Sequence, residues 1–202
     1  RINVKIKGEK ETEINGQEPE ISQEDIKALY GKLEHLQSGD VLILAGSIPA
    51  TLPGSMYEDI MSKLSGRDIL SVVDATGELL VNVLKYKPFL IKPNHFELGE
   101  IFGRELKSQE EIITCAKRLQ DMGALNVLVS MAEDGAILLD ERGEVHRMAP
   151  PSGETVNSVG AGDSMVAGFM AGYLESGDYG YALKLGTAAA AATVFSHDLA
   201  KW

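Results

Sequence analysis

The chain of 202 residues is long enough for one domain with a substantial core. Its 44% hydrophobic and 24% charged residues are typical of a folded protein rather than a disordered one. Thirty acidic residues against nineteen Lys and Arg give a net charge of −11, which argues against nucleic-acid binding because such binding favours a basic excess. Any anionic ligand must therefore be held by local cations or backbone N–H groups.

Cysteine and histidine usage exclude two further classes of site. The single cysteine, Cys115, cannot form an internal disulfide or a thiolate metal site, and the four histidines lack ligand spacing. The most apolar stretch, residues 185–195, is too short to span a bilayer, so no membrane association is expected. A cytoplasmic location is the resulting expectation.

Strand and helix patterns alternate along most of the chain. Residues 1–19 predict a half-buried hairpin, because Ile2, Val4 and Ile6 alternate with polar residues. Ser22 is the predicted N-cap of a first helix, and Val41–Ala45 is an unbroken apolar run typical of a strand buried on both faces. The predicted strands then cover residues 41–45, 69–73, 89–91, 127–129, 136–139 and 144–148, the last two as an antiparallel pair. The predicted helices cover residues 22–37, 54–64, 79–84, 108–122, 164–174 and 181–195.

This alternation predicts an α/β fold, a mainly parallel sheet with helices on both faces. The opening hairpin stands outside the alternation, so residues 1–19 are expected to form a small β lid and residues 20–202 the α/β body. Polar residues follow the predicted strands, at the edge where ligands bind in such sheets. They are Gly46, Ser47, Asp74, Lys92, Asn94, Glu97 and Ser130. For each position alone, ordinary loop polarity is the alternative.

The strongest local signal is Gly160-Ala161-Gly162-Asp163, directly before an apolar helix. Two glycines one residue apart let several N–H groups point at one place, at a helix N-terminus that favours anions. A carboxylate beside such a cradle is what phosphoryl transfer to a hydroxyl requires. The alternative is a flexible turn with Asp163 as N-cap. The P-loop, the dinucleotide-binding and the protein-kinase motifs are missing from the sequence.

These residues resemble a known family. Asn157–Ser164, with the apolar helix that follows, looks like the second signature of the ribokinase-like carbohydrate kinases, the phosphofructokinase B family. Lys92–Glu97 (KPNHFE) matches that family's N-x-x-E motif in its usual setting, and Ala45–Pro49 matches its G-S-[LI]-P segment. Residues 1–5 and 12–15 look like the lid of the branch that phosphorylates hexose phosphates. The resemblance covers essentially the whole chain and is specific as a combination.

The resemblance implies a ribokinase-like three-layer fold and an ATP-dependent sugar-phosphate kinase. Asp163 would be the base that activates the acceptor hydroxyl, and Gly160, Ala161 and Gly162 would form the anion hole. Asn94 and Glu97 would hold Mg²⁺ through water, beside the nucleotide phosphates and Lys92. The residues implied for the nucleotide site are Lys92, Asn94, Ser130, Ala132 and Gly135. The residues implied for the phosphosugar are Arg1, Asn3, Lys5, Gly46 and Ser47.

The resemblance implies a phosphorylated ketohexose as acceptor, with Arg1 and Lys5 offering positive charge to its phosphate. Fructose 1-phosphate, giving fructose 1,6-bisphosphate, is the first candidate and tagatose 6-phosphate the alternative. A non-catalytic nucleotide-binding fragment and a kinase of neutral sugars or nucleosides are the other hypotheses. The exposed edges of the lid predict a homodimer formed through it in the full-length protein.

Two features depart from the family pattern. Ala132 replaces the first glycine of S-x-G-x-x-G, and the family's first signature, with its substrate-binding Asp, is not found. We therefore expect a fragment that lacks the N-terminal part of the fold and is also cut after Trp202.

Overall fold

Two sheets contain the strands of the computed structural model, which describes residues 3–6, 12–16 and 20–200. The smaller sheet is an antiparallel pair of β1 (Asn3–Ile6) and β2 (Thr12–Asn15), in which Val4 lies opposite Ile14. The predicted hairpin is therefore confirmed in its backbone. Arg1 and Ile2 lie outside the described residues.

The larger sheet has six strands in the order β3-β4-β5-β6-β7-β8. These are β3 (Val41–Ala45), β4 (Leu70–Asp74), β5 (Leu90–Ile91), β6 (Asn126–Ser130), β7 (Ala136–Leu139) and β8 (Val145–Met148). The first four are parallel and the last two are antiparallel, which confirms the mainly parallel sheet with its closing pair.

Seven α-helices accompany the sheet in the described part of the chain. They are α1 (Gln23–Leu33), α2 (Met56–Leu64), α3 (Gly77–Val83), α4 (His95–Ile101), α5 (Gln109–Asp121), α6 (Ala161–Ser176) and α7 (Tyr179–Val194). Helix α1 ends at Leu33, four residues before the predicted boundary, and the Arg67 guanidinium donates to the carbonyl oxygens of Leu33, Glu34 and Leu36 at this end of the helix. None of the helices described is long and apolar enough to cross a membrane.

The sheet separates two apolar cores, so the body has three layers. Successive residues of a strand point to opposite faces. One core contains Val73, Ile91 and Val127 together with α2–α5, and the other contains Val72, Leu90 and Leu128 together with α6 and α7. The predicted helices on both faces are confirmed.

Helices α6 and α7 pack closely because glycines line their contact. A β-carbon on Gly168 would lie 2.8 Å from both the Ala189 β-carbon and the Leu185 carbonyl oxygen. A β-carbon on Gly186 would lie 2.8 Å from the Met165 carbonyl oxygen. Larger residues would separate the two helices, and the start of α6 would move with them.

The prediction that Val41–Ala45 is buried on both faces is wrong. Ile43 is 43% exposed, and only Leu44 of this strand is fully buried. The reason is the strand order, since β3 lies at the end of the sheet in the described part of the chain and has β4 as its one neighbour.

Candidate active site

The four parallel strands end at one edge of the sheet and bring their polar successors together. The Gly46 N–H donates to the Asp74 carbonyl oxygen at 3.1 Å, which joins the ends of β3 and β4. The Lys92 N–H donates to the Val73 carbonyl oxygen at 3.2 Å, and Asn94 pairs with Ser130 in a parallel bridge. The predicted clustering of strand-end residues is thus present in the structure.

The start of α6 presents unpaired N–H groups. Gly160 is the N-cap and has a φ of +79°, a left-handed conformation that favours glycine. The Ser164 N–H donates to the Gly160 carbonyl oxygen at 2.9 Å, whereas the N–H groups of Gly162 and Asp163 donate to no described residue. Asp163 is the third residue of the helix, so its interpretation as N-cap is wrong. The two N–H groups and the helix dipole together favour an anion here.

Directly behind this turn lies a buried ion pair. The Lys92 Nζ is 3.1 Å from the Asp74 Oδ1, and the two side chains are only 7% and 19% exposed. A β-carbon on Gly162 would lie 3.2 Å from the Lys92 Nζ and 3.9 Å from the Asp74 Oδ2. The interpretation of Lys92 as a solvated strand-end charge is therefore wrong. Glycine at 162 lets the start of α6 rest on this pair.

The site carries more negative than positive charge. Burial raises the pKa of Asp74 above its usual value although Lys92 opposes the shift, and the charges of Asp163 and Glu97 raise it further. Of the three carboxylates, Asp74 is the one that forms an ion pair with the Lys92 ammonium in the described part of the chain. Carboxylate oxygens are the ligands that Mg²⁺ prefers, so Glu97 is chemically suited to a cation that accompanies nucleotide phosphates, although the three carboxylates do not converge on one point among the described residues.

Asn94 and Glu97 form a reciprocal cap at the start of α4. The Asn94 Oδ1 accepts from the N–H groups of Phe96 and Glu97, both at 2.9 Å, and the Glu97 Oε2 accepts from the Asn94 N–H at 2.8 Å. This capping box holds Glu97 where its charge reaches Asp74. The Glu97 Oε1 accepts no hydrogen bond from the described residues, which leaves it for a metal-bound water.

Ser130, Ala132 and Gly135 lie in a single turn after β6, beside Asn94. Gly135 has a φ of +86°, and a β-carbon there would lie 2.1 Å from the Met148 carbonyl oxygen, so only glycine fits. Ala132 has a φ of +50°, the left-handed region where the family pattern has glycine. These are three of the five residues implied for the nucleotide site, and the bridge between Ser130 and Asn94 joins them to a fourth.

The predicted phosphosugar residues divide into two groups. Gly46 and Ser47 follow β3 at the site, next to Asp74. Arg1 lies outside the described residues, and Asn3 and Lys5 are described only by their backbone in β1, so their contacts stay predictions.

Two residues of the site received no role from the sequence. Asp74 was only one of several polar residues after strands, and its ion pair had no signal in the pattern. Tyr57 lies on an apolar face of α2, yet its hydroxyl donates to the carbonyl oxygens of Ala45 and Gly46 at 2.8 and 3.1 Å and thereby fixes the turn after β3. Burial, and then the charge of Asp74, raise the pKa of Tyr57, so it stays a donor.

Comparisons with known proteins identify relatives of this chain. The chain is 48% identical over 199 residues to a 1-phosphofructokinase of Bacillus subtilis, covering 98% of this chain and 65% of the relative. It is 36% identical to a D-tagatose-1-phosphate kinase of Bacillus licheniformis, covering 98% of this chain and 66% of that protein. The chain thus spans about two thirds of the length of the curated relatives it matches.

Solved structures give the same result for the fold. Phosphofructokinase-2 from Escherichia coli, in complex with substrates and products, superposes with a TM-score of 0.89 at 25% identity over 98% of this chain and 66% of that one. Another structure of that enzyme is described as its tetrameric inhibited form. The model of the pfkB family carbohydrate kinases matches residues 2–201. The expected three-layer kinase fold is confirmed, and the chain belongs to the pfkB family of carbohydrate kinases.

Proposed function

We propose that the whole protein is an ATP-dependent kinase of ketohexose 1-phosphates, with fructose 1-phosphate as acceptor and fructose 1,6-bisphosphate as product. The observation that carries the proposal is the start of α6, where a carboxylate, Asp163, stands beside two N–H groups that donate to no described residue. The names of the relatives support the acceptor class, since two of them act on ketohexose 1-phosphates.

In the proposed reaction, a hydroxyl oxygen of the sugar attacks the γ-phosphorus of ATP while the bond to the bridging oxygen of ADP breaks. Asp163 accepts the hydroxyl proton, which prevents positive charge from building up on the attacking oxygen. The N–H groups of Gly162 and Asp163 donate to the oxygens of the transferred group and stabilise their charge. Mg²⁺ bound through water by Asn94 and Glu97 would supply charge neutralisation on the nucleotide phosphates.

The acceptor needs a direct test, because fructose and tagatose differ in one stereocentre and either sugar can carry its phosphate at position 1 or 6. The whole protein is assayed for ADP release with fructose 1-phosphate, fructose 6-phosphate, tagatose 1-phosphate, tagatose 6-phosphate and unphosphorylated fructose. The highest kcat/KM is expected with fructose 1-phosphate. A preference for unphosphorylated fructose would contradict the proposal, and ATP binding without turnover on any sugar would favour the non-catalytic alternative.

The role of the carboxylate is tested by Asp163→Asn, with Asp121→Asn on the exposed end of α5 as the matched control. Loss of a general base lowers kcat by about 10²- to 10⁴-fold. ATP affinity is expected to stay within error because the N–H groups are unchanged. An Asp163→Asn protein that turns over at the rate of the control would remove the proposed base.

A further inference from the structure

Folding stability alone does not explain why the ion pair of Asp74 and Lys92 is buried. The free-energy cost of removing two charges from water largely cancels their mutual attraction. A buried ion pair is therefore a weak stabiliser compared with an apolar pair of similar volume. This pair nevertheless lies beside the turn that carries the proposed chemistry, since a β-carbon on Gly162 would be 3.2 Å from the Lys92 Nζ. Its position therefore calls for a functional explanation.

Asp74 is itself held rigidly. It is the last residue of β4 and is paired with Ala45 of β3, and its carbonyl oxygen accepts the Gly46 N–H at 3.1 Å. The Lys92 side chain, by contrast, is flexible by nature and is fixed only where its ammonium finds a partner. Only 7% of the Lys92 side chain is exposed, so its ammonium depends on protein partners more than on water.

We propose that Asp74 is a positioning residue that acts through Lys92: its carboxylate holds the Lys92 ammonium beside Gly162 and keeps it from pairing with the Asp163 carboxylate. The inference rests on the proposed function and adds to it a residue that neither donates nor accepts the transferred group.

Two observations support the second part of this role. Asp163 lies one residue after Gly162, beside which the Lys92 ammonium stands, and its negative charge acts on Asp74, so it is a candidate competitor for the same ammonium. In the structure, Lys92 forms its ion pair with Asp74, and no described cation pairs with Asp163. An ammonium drawn onto Asp163 would occupy the oxygen that must accept the proton. Removing the Asp74 charge is thus expected to slow catalysis while the sugar site stays intact.

The test is a double-mutant cycle in the whole protein with Asp74→Asn, Lys92→Met and the combined variant. Asp74→Asn is expected to lower kcat by about 10- to 100-fold, the usual range for a residue that orients a functional group. The KM for the sugar phosphate is expected to stay unchanged. The combined variant is expected to be no slower than Lys92→Met alone, because Asp74 acts only through Lys92.

Asp140→Asn is the matched structural control, since Asp140 is also a buried carboxylate, 1% exposed and 2.9 Å from a partner, His146. It follows β7, which runs antiparallel to β6, and so lies at the opposite edge of the sheet. This control is expected to lower the melting temperature and leave kcat unchanged. Should Asp74→Asn not fold, Asp74→Ser is measured in the same cycle.

A wild-type kcat in a folded Asp74 variant would overturn the proposal, as would fully multiplicative effects in the cycle. A wild-type protein without turnover would instead overturn the proposed function. In that case the Gly162 amide resonance of ¹⁵N-glycine-labelled protein decides the positioning role. It is expected to shift in both Asp74→Asn and Lys92→Met, and no shift in either would overturn the contact.

Discussion

Gly162→Ala separates the chemical role of the α6 turn from its folding. Gly162 has an ordinary φ, so an added methyl group meets no backbone strain. The new β-carbon would lie 3.2 Å from the Lys92 Nζ and 3.5 Å from its Cε. The first contact is about 0.3 Å shorter than the optimal carbon contact of ~3.5 Å. Because Asp74 holds the ammonium, either Lys92 or the start of α6 must shift by a few tenths of an ångström.

The expected effects on stability and on catalysis differ in size. Alanine is favoured over glycine in a helix by about 1 kcal/mol, which offsets the close contact, so the free energy of unfolding is expected to change by less than about 1 kcal/mol. A misplacement of 1 Å in an active site can cost about 10²-fold in rate, so a shift of a few tenths is expected to lower kcat on the order of 10-fold.

The assay combines urea denaturation with the steady-state kinetics of the whole protein. Gly31→Ala is the matched control, because Gly31 lies on α1 with an ordinary φ and no atom within 4 Å of the added carbon. The free energy of unfolding of the Gly31→Ala control is expected to rise by about 0.5–1 kcal/mol, and its kcat is expected to stay unchanged. A Gly162→Ala protein with the kcat of the wild type would refute the reasoning that this turn rests on the ion pair.

Three further predictions concern stability and assembly. Ala132→Gly relieves a left-handed alanine at φ +50° and is expected to raise the free energy of unfolding by about 1 kcal/mol in urea denaturation; an unchanged midpoint would argue against strain at this turn. Burial alone would raise the pKa of Asp140, but the hydrogen bonds from His146 and from two backbone N–H groups outweigh it and lower the pKa. The ionised Asp140 carboxylate therefore stabilises the fold at pH values above its pKa in the unfolded chain, near 3.8, and this stabilisation is lost as the pH falls through its lower pKa in the folded protein. Asp140→Asn should consequently weaken the acid dependence of the melting temperature below about pH 4. Ile14 is 55% exposed on β2, and Ile14→Lys is expected to weaken self-association through the lid in light scattering, whereas an unchanged mass would place the interface elsewhere.

Periodic elements were predictable from the sequence because their pattern repeats. The helix 109–121 and the closing antiparallel pair follow directly from apolar spacing. Helix α4 was missed because its seven residues are too few for a periodic signal, and the capping box that starts it was interpreted only as a metal motif. The exposure of Ile43 was not predictable, since it depends on which strands lie beside β3.

The candidate site was predictable as a set of residues but not as an arrangement. The glycines of the α6 turn were found from their spacing before an apolar helix, and the Asn94–Glu97 motif from the resemblance to the family pattern. The burial of Lys92 was not, because a lysine after a short strand has the same sequence signal whether it is solvated or paired. Its partner Asp74 lies eighteen positions earlier on another strand, and only the sheet order brings the two together.

The capping box of α4 has a consequence for how this motif should be studied by mutation. Asn94 and Glu97 both begin a helix and are also the residues proposed to hold a cation, so an alanine at either position would combine a folding defect of about 1 kcal/mol with any loss of ligand. Asn94→Ser keeps a side-chain oxygen that can cap the helix but removes the amide group of the asparagine. Comparing serine with alanine there would divide the observed loss between helix initiation and metal chemistry.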